Sequence, residues 1–163
     1  MRTPVNVLVL CTGNSCRSVI AEALINALGE GRFLAASAGS QPTGRVHSGA
    51  LEVLSRNGVD PGRPRSKSWD DPEIPEPDLV ITVCDNAAGE ACPVWLADTP
   101  KVHWGIPDPA GATGSEEETC AVFEHCYQQL LRRVRALVAL EPESLKPETL
   151  RAQVQAIHSQ ADA

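Results

Sequence analysis

Short apolar runs alternate with amphipathic stretches over the first 140 residues of the chain. Two runs, Val5–Leu10 and residues 79–83, are largely apolar and rich in β-branched residues, which is typical of strands buried in a parallel sheet. Other stretches carry apolar residues at helical spacing. The pattern predicts strands at Val5–Leu10, Phe33–Ala38, 79–83 and 101–104, and helices at Arg17–Leu28, 48–57 and 116–140.

Strands that alternate with helices indicate right-handed βαβ units and therefore an α/β fold with a parallel sheet. One domain over residues 1–140 accounts for these elements, and residues 141–163 are expected to form a polar, partly helical tail. In parallel sheets the functional site lies at the carboxyl ends of the strands. Three segments fall there: the loop from Cys11, the segment after Val83 and the loop after Trp104.

The net charge and the cysteine content limit the kinds of partner and the cellular compartment that we expect for this chain. The formal net charge of −7 argues against nucleic acid and anionic membrane surfaces as partners, and no stretch approaches the ~20 apolar residues of a membrane span. The chain enters its first strand without the layout of a signal peptide, so we expect a cytoplasmic protein with reduced thiols. The cysteines form no CxxC pairs and the histidines are dispersed, so we expect no metal site. No long apolar surface stripe is left over, so we expect a monomer.

Residues 11–18 read CTGNSCRS, a cysteine followed after five residues by an arginine and a serine, between a predicted strand and a predicted helix. Backbone N–H groups at a helix N-terminus favour negative charge. The guanidinium group of Arg17 can donate two parallel hydrogen bonds to a tetrahedral oxyanion. The same field favours a thiolate, so Cys11 is expected to be a nucleophile with a lowered pKa. Ser18 is expected to hydrogen-bond that thiolate, and Asn14 suits a left-handed turn position. The predicted oxyanion contacts are Thr12, Gly13, Asn14, Ser15, Cys16, Arg17 and Ser18.

Three further residues are candidates for chemistry at this site. Asp108 lies between Pro107 and Pro109 in the loop after the fourth strand, where it is either a general acid or a common turn residue. Cys84 ends the third strand, and Cys92 follows eight residues later. These two are either a core and a loop cysteine or a thiol relay that carries a disulfide outward to a reductant.

Together, these motifs resemble those of the low molecular weight tyrosine phosphatase fold. They are the 11–18 loop, the Ser37-Ala-Gly turn and the segment Trp104-Gly-Ile-Pro-Asp-Pro-Ala110. With the Cys84 and Cys92 pair added, the chain is similar to the arsenate reductases built on that fold, from residue 5 to around residue 140. The resemblance implies a four-stranded parallel sheet flanked by helices on both faces.

The resemblance also implies a mechanism for the reduction of arsenate to arsenite. Cys11 attacks arsenate held by the loop and Arg17, and Asp108 protonates the departing oxygen. Cys84 then attacks Cys11 and releases arsenite, and Cys92 attacks Cys84, which leaves a disulfide between Cys84 and Cys92. Thioredoxin or a glutathione/glutaredoxin system restores the thiols. Phosphate and sulfate are expected to compete with arsenate.

No tightly bound cofactor is implied, but some members of the family bind a potassium ion beside the loop. The matching positions are Asn14, Glu22 and Ser37. The tripeptide Ser66-Lys67-Ser68 stands where an acidic cation ligand is expected, and Lys67 could take over the charge of the cation. The gap between Cys84 and Cys92 is one residue longer than in the best-studied members with three such cysteines.

Two other functions would use the same loop. A phosphatase of this fold hydrolyses a phosphocysteine with water, but such enzymes usually carry an aromatic residue after the Asp-Pro pair, where this chain has Ala110. A phosphatase would also leave the pair of Cys84 and Cys92 without a purpose. A non-catalytic oxyanion sensor or phosphorelay component is the second alternative, and it would not need a reactive Cys11.

Overall fold

Four strands form one parallel sheet in the computed structural model, which describes residues 2–84 and 96–161. The strands are β1 (Val5–Leu10), β2 (Phe33–Ala38), β3 (Leu79–Thr82) and β4 (Lys101–His103). Their order in the sheet is β2-β1-β3-β4, and each neighbouring pair is parallel. The α/β class, the four-stranded parallel sheet and the predicted strands are therefore confirmed, with β3 and β4 each one residue shorter than the sequence pattern predicted.

Four α-helices accompany the sheet in the described part of the chain. They are α1 (Arg17–Leu28), α2 (Ser48–Arg56), α3 (Glu116–Val138) and α4 (Pro147–Ala161). The side chains of His47 and Ser115 cap α2 and α3 by accepting hydrogen bonds from the N–H groups of Gly49 and Glu118. The first three helices lie within two residues of their predicted bounds, which confirms those predictions.

Alternate residues of β1 face two different apolar clusters, because successive side chains of a strand point to opposite faces of the sheet. The odd-numbered residues of β1 join the larger cluster, to which all four described helices contribute buried side chains. Leu8 and Leu10 join a smaller cluster on the other face. Trp69 and Ile74, which belong to the connection between α2 and β3, pack against this smaller cluster.

The helix α4 packs on the main core. Its buried residues are Leu150, Val154 and Ile157. Trp104 Nε1 donates a hydrogen bond to the carbonyl of Val154 at 2.9 Å, and the Gln155 side chain pairs with both backbone groups of His103. The segment that was predicted to be a polar, partly helical tail therefore contains a helix, which hydrogen bonds tie to β4. None of the described helices is both long enough and apolar enough to cross a lipid bilayer.

The carboxyl ends of β1, β3 and β4 lie side by side, so the chain leaves all three at the same edge of the sheet. β2 ends next to them at Ala38, and the N–H of the following residue, Gly39, donates to the carbonyl of Lys67 at 2.9 Å. A Cβ atom at Gly39 would overlap the carbonyl oxygens of Cys11 and Thr12. Glycine is therefore required where the loop after β1 crosses the end of β2.

Candidate active site

A cavity of about 280 Å³ opens at this edge of the sheet. The residues that line it are Cys11, Thr12, Gly13, Ser15, Cys16, Arg17, Thr43, Cys84, Asp108 and Ala110. The fold thus brings together four residues that the sequence predicted to be catalytic, namely Cys11, Arg17, Asp108 and Cys84. The fifth, Cys92, lies outside the described residues.

Asn14 holds the loop that follows β1 in shape. Its φ angle of 46° confirms the predicted left-handed turn position. Its buried side chain donates from Nδ2 to the hydroxyls of Ser18 and Ser37, at 2.9 Å each. Its Oδ1 accepts from the N–H of Lys67 at 2.9 Å. One amide therefore ties the loop to α1, to β2 and to the connection before β3.

Arg17, the first residue of α1, reaches across to the loop after β4. Its Nη1 donates to the carbonyl of Ile106 at 2.9 Å, and its Nη2 lies 3.6 Å from Oδ2 of Asp108. Its Nε is buried and has no hydrogen-bond partner among the described residues. A buried donor without a partner is costly, and a bound oxyanion would satisfy it with a charge-assisted hydrogen bond.

Asp108 lies at the mouth of the cavity with about half of its side chain exposed (51%). Its Oδ1 accepts from the N–H of Ala110 at 2.9 Å, which caps the short turn of 3-10 helix at Pro109–Gly111. The thiol of Cys16 lies 4.0 Å from the same oxygen. A carboxyl group that is held beside the cavity and open to solvent is placed to exchange a proton with an oxygen bound there.

The sulfur of Cys84 lies against the start of the loop. The N–H of Thr12 donates to it at 3.4 Å, and the Thr12 hydroxyl lies 3.5 Å from it. Cys11 lines the same cavity, and interaction with Cys84 is the largest cause of the raised pKa of Cys11. Two thiols that follow neighbouring strands are therefore neighbours inside the cavity, an arrangement that suits thiol–disulfide chemistry.

The predicted lowering of the Cys11 pKa is wrong for this arrangement. The hydrogen bond with Cys84 and burial raise the pKa of Cys11, while Arg17 and the N–H of Gly13 lower it by a smaller amount. A negative charge on the sulfur of Cys84 would also oppose ionisation of Cys11. The sequence motif indicated Arg17 and the N–H of Gly13, which favour the Cys11 thiolate, but it did not reveal that Cys84 lies beside Cys11.

The three positions matched to a potassium site also come together. Ser37 accepts a hydrogen bond from Asn14 and is hydrogen-bonded to Glu22. Burial raises the pKa of Glu22, and the positive charge of Lys67 opposes this. The oxygen of Asn14 accepts from the N–H of Lys67, so Lys67 contacts the site through its backbone as well as through its charge. The described residues also contain no group of three or more His, Cys, Asp or Glu side chains able to hold a metal ion.

Comparison with known proteins identifies the family. The profile of the low molecular weight phosphotyrosine protein phosphatase family matches residues 6–156. The chain belongs to this family. A relative named arsenate reductase from Halalkalibacterium halodurans is 36% identical over 77% of this chain and 89% of its own length. Another of that name from Bacillus subtilis is 34% identical over the same shares.

Solved structures support the same assignment to the phosphatase family. An arsenate reductase in the phosphate binding state has a TM-score of 0.68 and 28% identity, covering 83% of this chain and 97% of that one. An arsenate reductase from Archaeoglobus fulgidus has a TM-score of 0.68 and 29% identity, covering 82% of this chain and 99% of that one. The family resemblance that the sequence motifs indicated is thereby confirmed.

Two contributors to this phosphatase-family site were missed in the sequence. Thr43 lines the cavity, yet it belongs to no recognisable motif and arrives there through backbone hydrogen bonds. Thr12 was predicted only as an oxyanion contact, whereas its N–H and hydroxyl both lie at the sulfur of Cys84. Only the parallel pairing of β1 with β3 could have indicated this second contact.

Proposed function

We propose that the chain is an arsenate reductase. The observation that carries the proposal is that the thiols of Cys11 and Cys84 line one cavity together with Arg17. Conversion of arsenic(V) to arsenic(III) needs two electrons, and two thiols that form a disulfide supply them. The relatives and solved structures named arsenate reductase support the same function.

The first step uses the loop as an oxyanion cradle. The Nε of Arg17, which has no partner among the described residues, and the loop N–H groups bind the oxygens of arsenate. The N–H of Gly13 and the charge of Arg17 favour the thiolate of Cys11, which attacks arsenic. A sulfur–arsenic bond forms, one arsenic–oxygen bond breaks, and the oxygen leaves as water with a proton from Asp108.

The second step uses Cys84. Its sulfur attacks the sulfur of Cys11, so that a disulfide forms and the sulfur–arsenic bond breaks. The bonding electron pair stays on arsenic, which leaves as arsenite. The N–H and hydroxyl of Thr12 are close enough to stabilise the Cys84 thiolate that this step requires.

The third step returns the enzyme to its reduced form. Cys92, which lies outside the described residues, attacks Cys84 and carries the disulfide away from Cys11. Thioredoxin or glutaredoxin then reduces it by thiol–disulfide exchange. The monomeric state and the cytoplasmic location stay predictions. Lys67 supplies the positive charge beside Glu22, so the proposal includes no need for potassium.

A single turnover without reductant tests this function. Fully reduced protein is mixed with arsenate, and the arsenite released and the thiols lost per chain are counted. We expect one arsenite and two lost thiols, with the disulfide mapped to Cys84 and Cys92. Cys120→Ser is the matched control, because Cys120 is a partly buried thiol that does not line the cavity.

The variant Cys84→Ser distinguishes oxyanion binding from the release of arsenite. It should bind phosphate as the unmodified protein does, because the oxyanion contacts are intact, but it should release no arsenite. Normal arsenite release by this variant would contradict the thiol relay. Hydrolysis of an aryl phosphate with no arsenite formed would instead identify a phosphatase, a function that the cavity favours less because none of the described residues that line it is aromatic.

A further inference from the structure

The outer side of the oxyanion loop is held by a second segment, residues 41–47, which we call the bracing segment. Its backbone N–H groups donate to three outward carbonyls of the loop. The pairs are Gln41 to Thr12 at 3.0 Å, Thr43 to Gly13 at 3.0 Å and His47 to Ser15 at 2.9 Å. None of these bonds depends on the type of side chain in the bracing segment.

This bracing determines where the inner N–H groups of the loop point. The loop peptides are trans, and in a trans peptide the C=O and the following N–H point in opposite directions. Carbonyls that are tied outward therefore turn the N–H groups of Gly13, Asn14 and Cys16 towards the cavity. The N–H of Gly13 does reach the sulfur of Cys11, where it lowers the pKa of that thiol.

Ser66 joins the loop to the bracing segment. Its hydroxyl donates to the carbonyl of Gly13 at 3.0 Å and accepts from the N–H of Gly44 at 3.1 Å. Among the described residues, it is the side chain that hydrogen-bonds to these outward carbonyls. The carbonyl of Gly13 thus accepts two hydrogen bonds, one from Thr43 and one from Ser66.

We propose that Ser66 is a positioning residue that sets the oxyanion affinity of the loop. Its hydroxyl fixes the peptide between Gly13 and Asn14, so that the N–H of Asn14 stays aimed at a bound oxygen. Ser66 itself does not line the cavity and touches neither the oxyanion nor Cys11. This inference rests on the proposed function only in so far as the cavity binds a tetrahedral oxyanion.

The test compares Ser66→Ala with Ser66→Thr, with inorganic phosphate as the probe. Loss of one supporting hydrogen bond should weaken phosphate binding by about three- to tenfold, measured by calorimetry. The KM for arsenate should rise by a similar factor. The pH profile of Cys11 alkylation should stay unchanged, because the N–H of Gly13 belongs to the preceding peptide, whose carbonyl the N–H of Gln41 holds. Ser66→Thr keeps the hydroxyl and should restore the phosphate affinity and the KM.

Ser68→Ala is the matched control, because within the described part of the chain the Ser68 hydroxyl bonds only to the N–H of Asp70 on the same connection. Unchanged phosphate affinity in a folded Ser66→Ala protein would overturn the inference. If Ser66→Ala does not fold, Ser66→Cys replaces it, since a thiol is a weaker donor, and wild-type phosphate affinity in that variant would overturn the inference in the same way. An unmodified protein that binds phosphate but forms no arsenite would contradict the proposed function and leave the role of Ser66 standing.

Discussion

At the scale of single residues, the site depends on the contact between two thiols. Replacing Cys84 with alanine removes the hydrogen bond and the charge that together contribute most to raising the pKa of Cys11. Arg17 and the N–H of Gly13 remain, so the pKa of Cys11 should fall. We expect iodoacetamide to alkylate Cys11 at lower pH in Cys84→Ala, with a rate at neutral pH that increases by about tenfold for each pKa unit lost.

The measurement is the alkylation rate of the peptide that contains Cys11, followed over a range of pH. Cys120→Ala is the control, because it removes a thiol that does not line the cavity. A profile in Cys84→Ala that is unchanged or lies at higher pH would show that Cys84 does not hold the Cys11 proton.

Lys67 gives the second prediction at this scale. Burial raises the pKa of Glu22, and the lysine charge opposes that shift, so Lys67→Met should raise the Glu22 pKa further. A carboxyl group with a raised folded pKa binds more protons in the folded state, so stability is lost as the pH rises above the unfolded value of 4.5. We expect Lys67→Met to be less stable than the unmodified protein at neutral pH and to approach it at acidic pH.

Urea unfolding at acidic and neutral pH, in potassium and in sodium buffers, checks this expectation. Lys67→Arg keeps the charge and should behave as the unmodified protein does. The unmodified protein should be equally stable in both salts, because Lys67 already supplies the positive charge. A clear stabilisation of the unmodified protein by potassium would show that a cation site exists despite the lysine.

At the scale of elements, the apolar and polar pattern predicts the strands, loops and helices that depend on neighbouring residues in the sequence. The apolar run Val5–Leu10 and the turn-rich loop after it indicate a buried strand, a cradle and a helix within one stretch of chain. The burial of α4 could not be predicted in this way. Its stripe is weak, and what fixes it is hydrogen bonding to Trp104 and His103, about 50 residues earlier in the chain.

In the active site, too, features that depend on one local motif differ from features that depend on distant parts of the chain. Cys11, Arg17 and Asn14 lie in one motif, so their roles in the cradle could be predicted from spacing. The direction of the Cys11 pKa could not, because it depends on a thiol that β3 delivers from more than 70 residues away. The bracing segment acts through backbone N–H groups, which leave no signature in the sequence.

At the scale of the whole molecule, buried thiols make stability depend on alkaline pH. Burial raises the pKa of Cys126 to about 12 from the ordinary value of 9.0, and the pKa values of Cys11 and Cys16 are also raised. Each of these groups binds more protons in the folded state once the unfolded chain begins to ionise. The stability they contribute is therefore present below about pH 9 and is lost as the pH rises through the folded values.

We therefore expect the free energy of unfolding to fall above pH 9, with Cys126 contributing up to about 1.4 kcal/mol per pH unit until its folded pKa is reached. Cys126→Val should reduce that slope, because it removes one titrating group from the core. The slope of the unfolding free energy against pH is measured by urea unfolding under reducing conditions at a series of pH values. Val134→Ala, a buried change on the same helix, should lower the free energy by the same amount at every pH. Equal slopes in Cys126→Val and the unmodified protein would mean that the ionisation of Cys126 does not drive the alkaline loss.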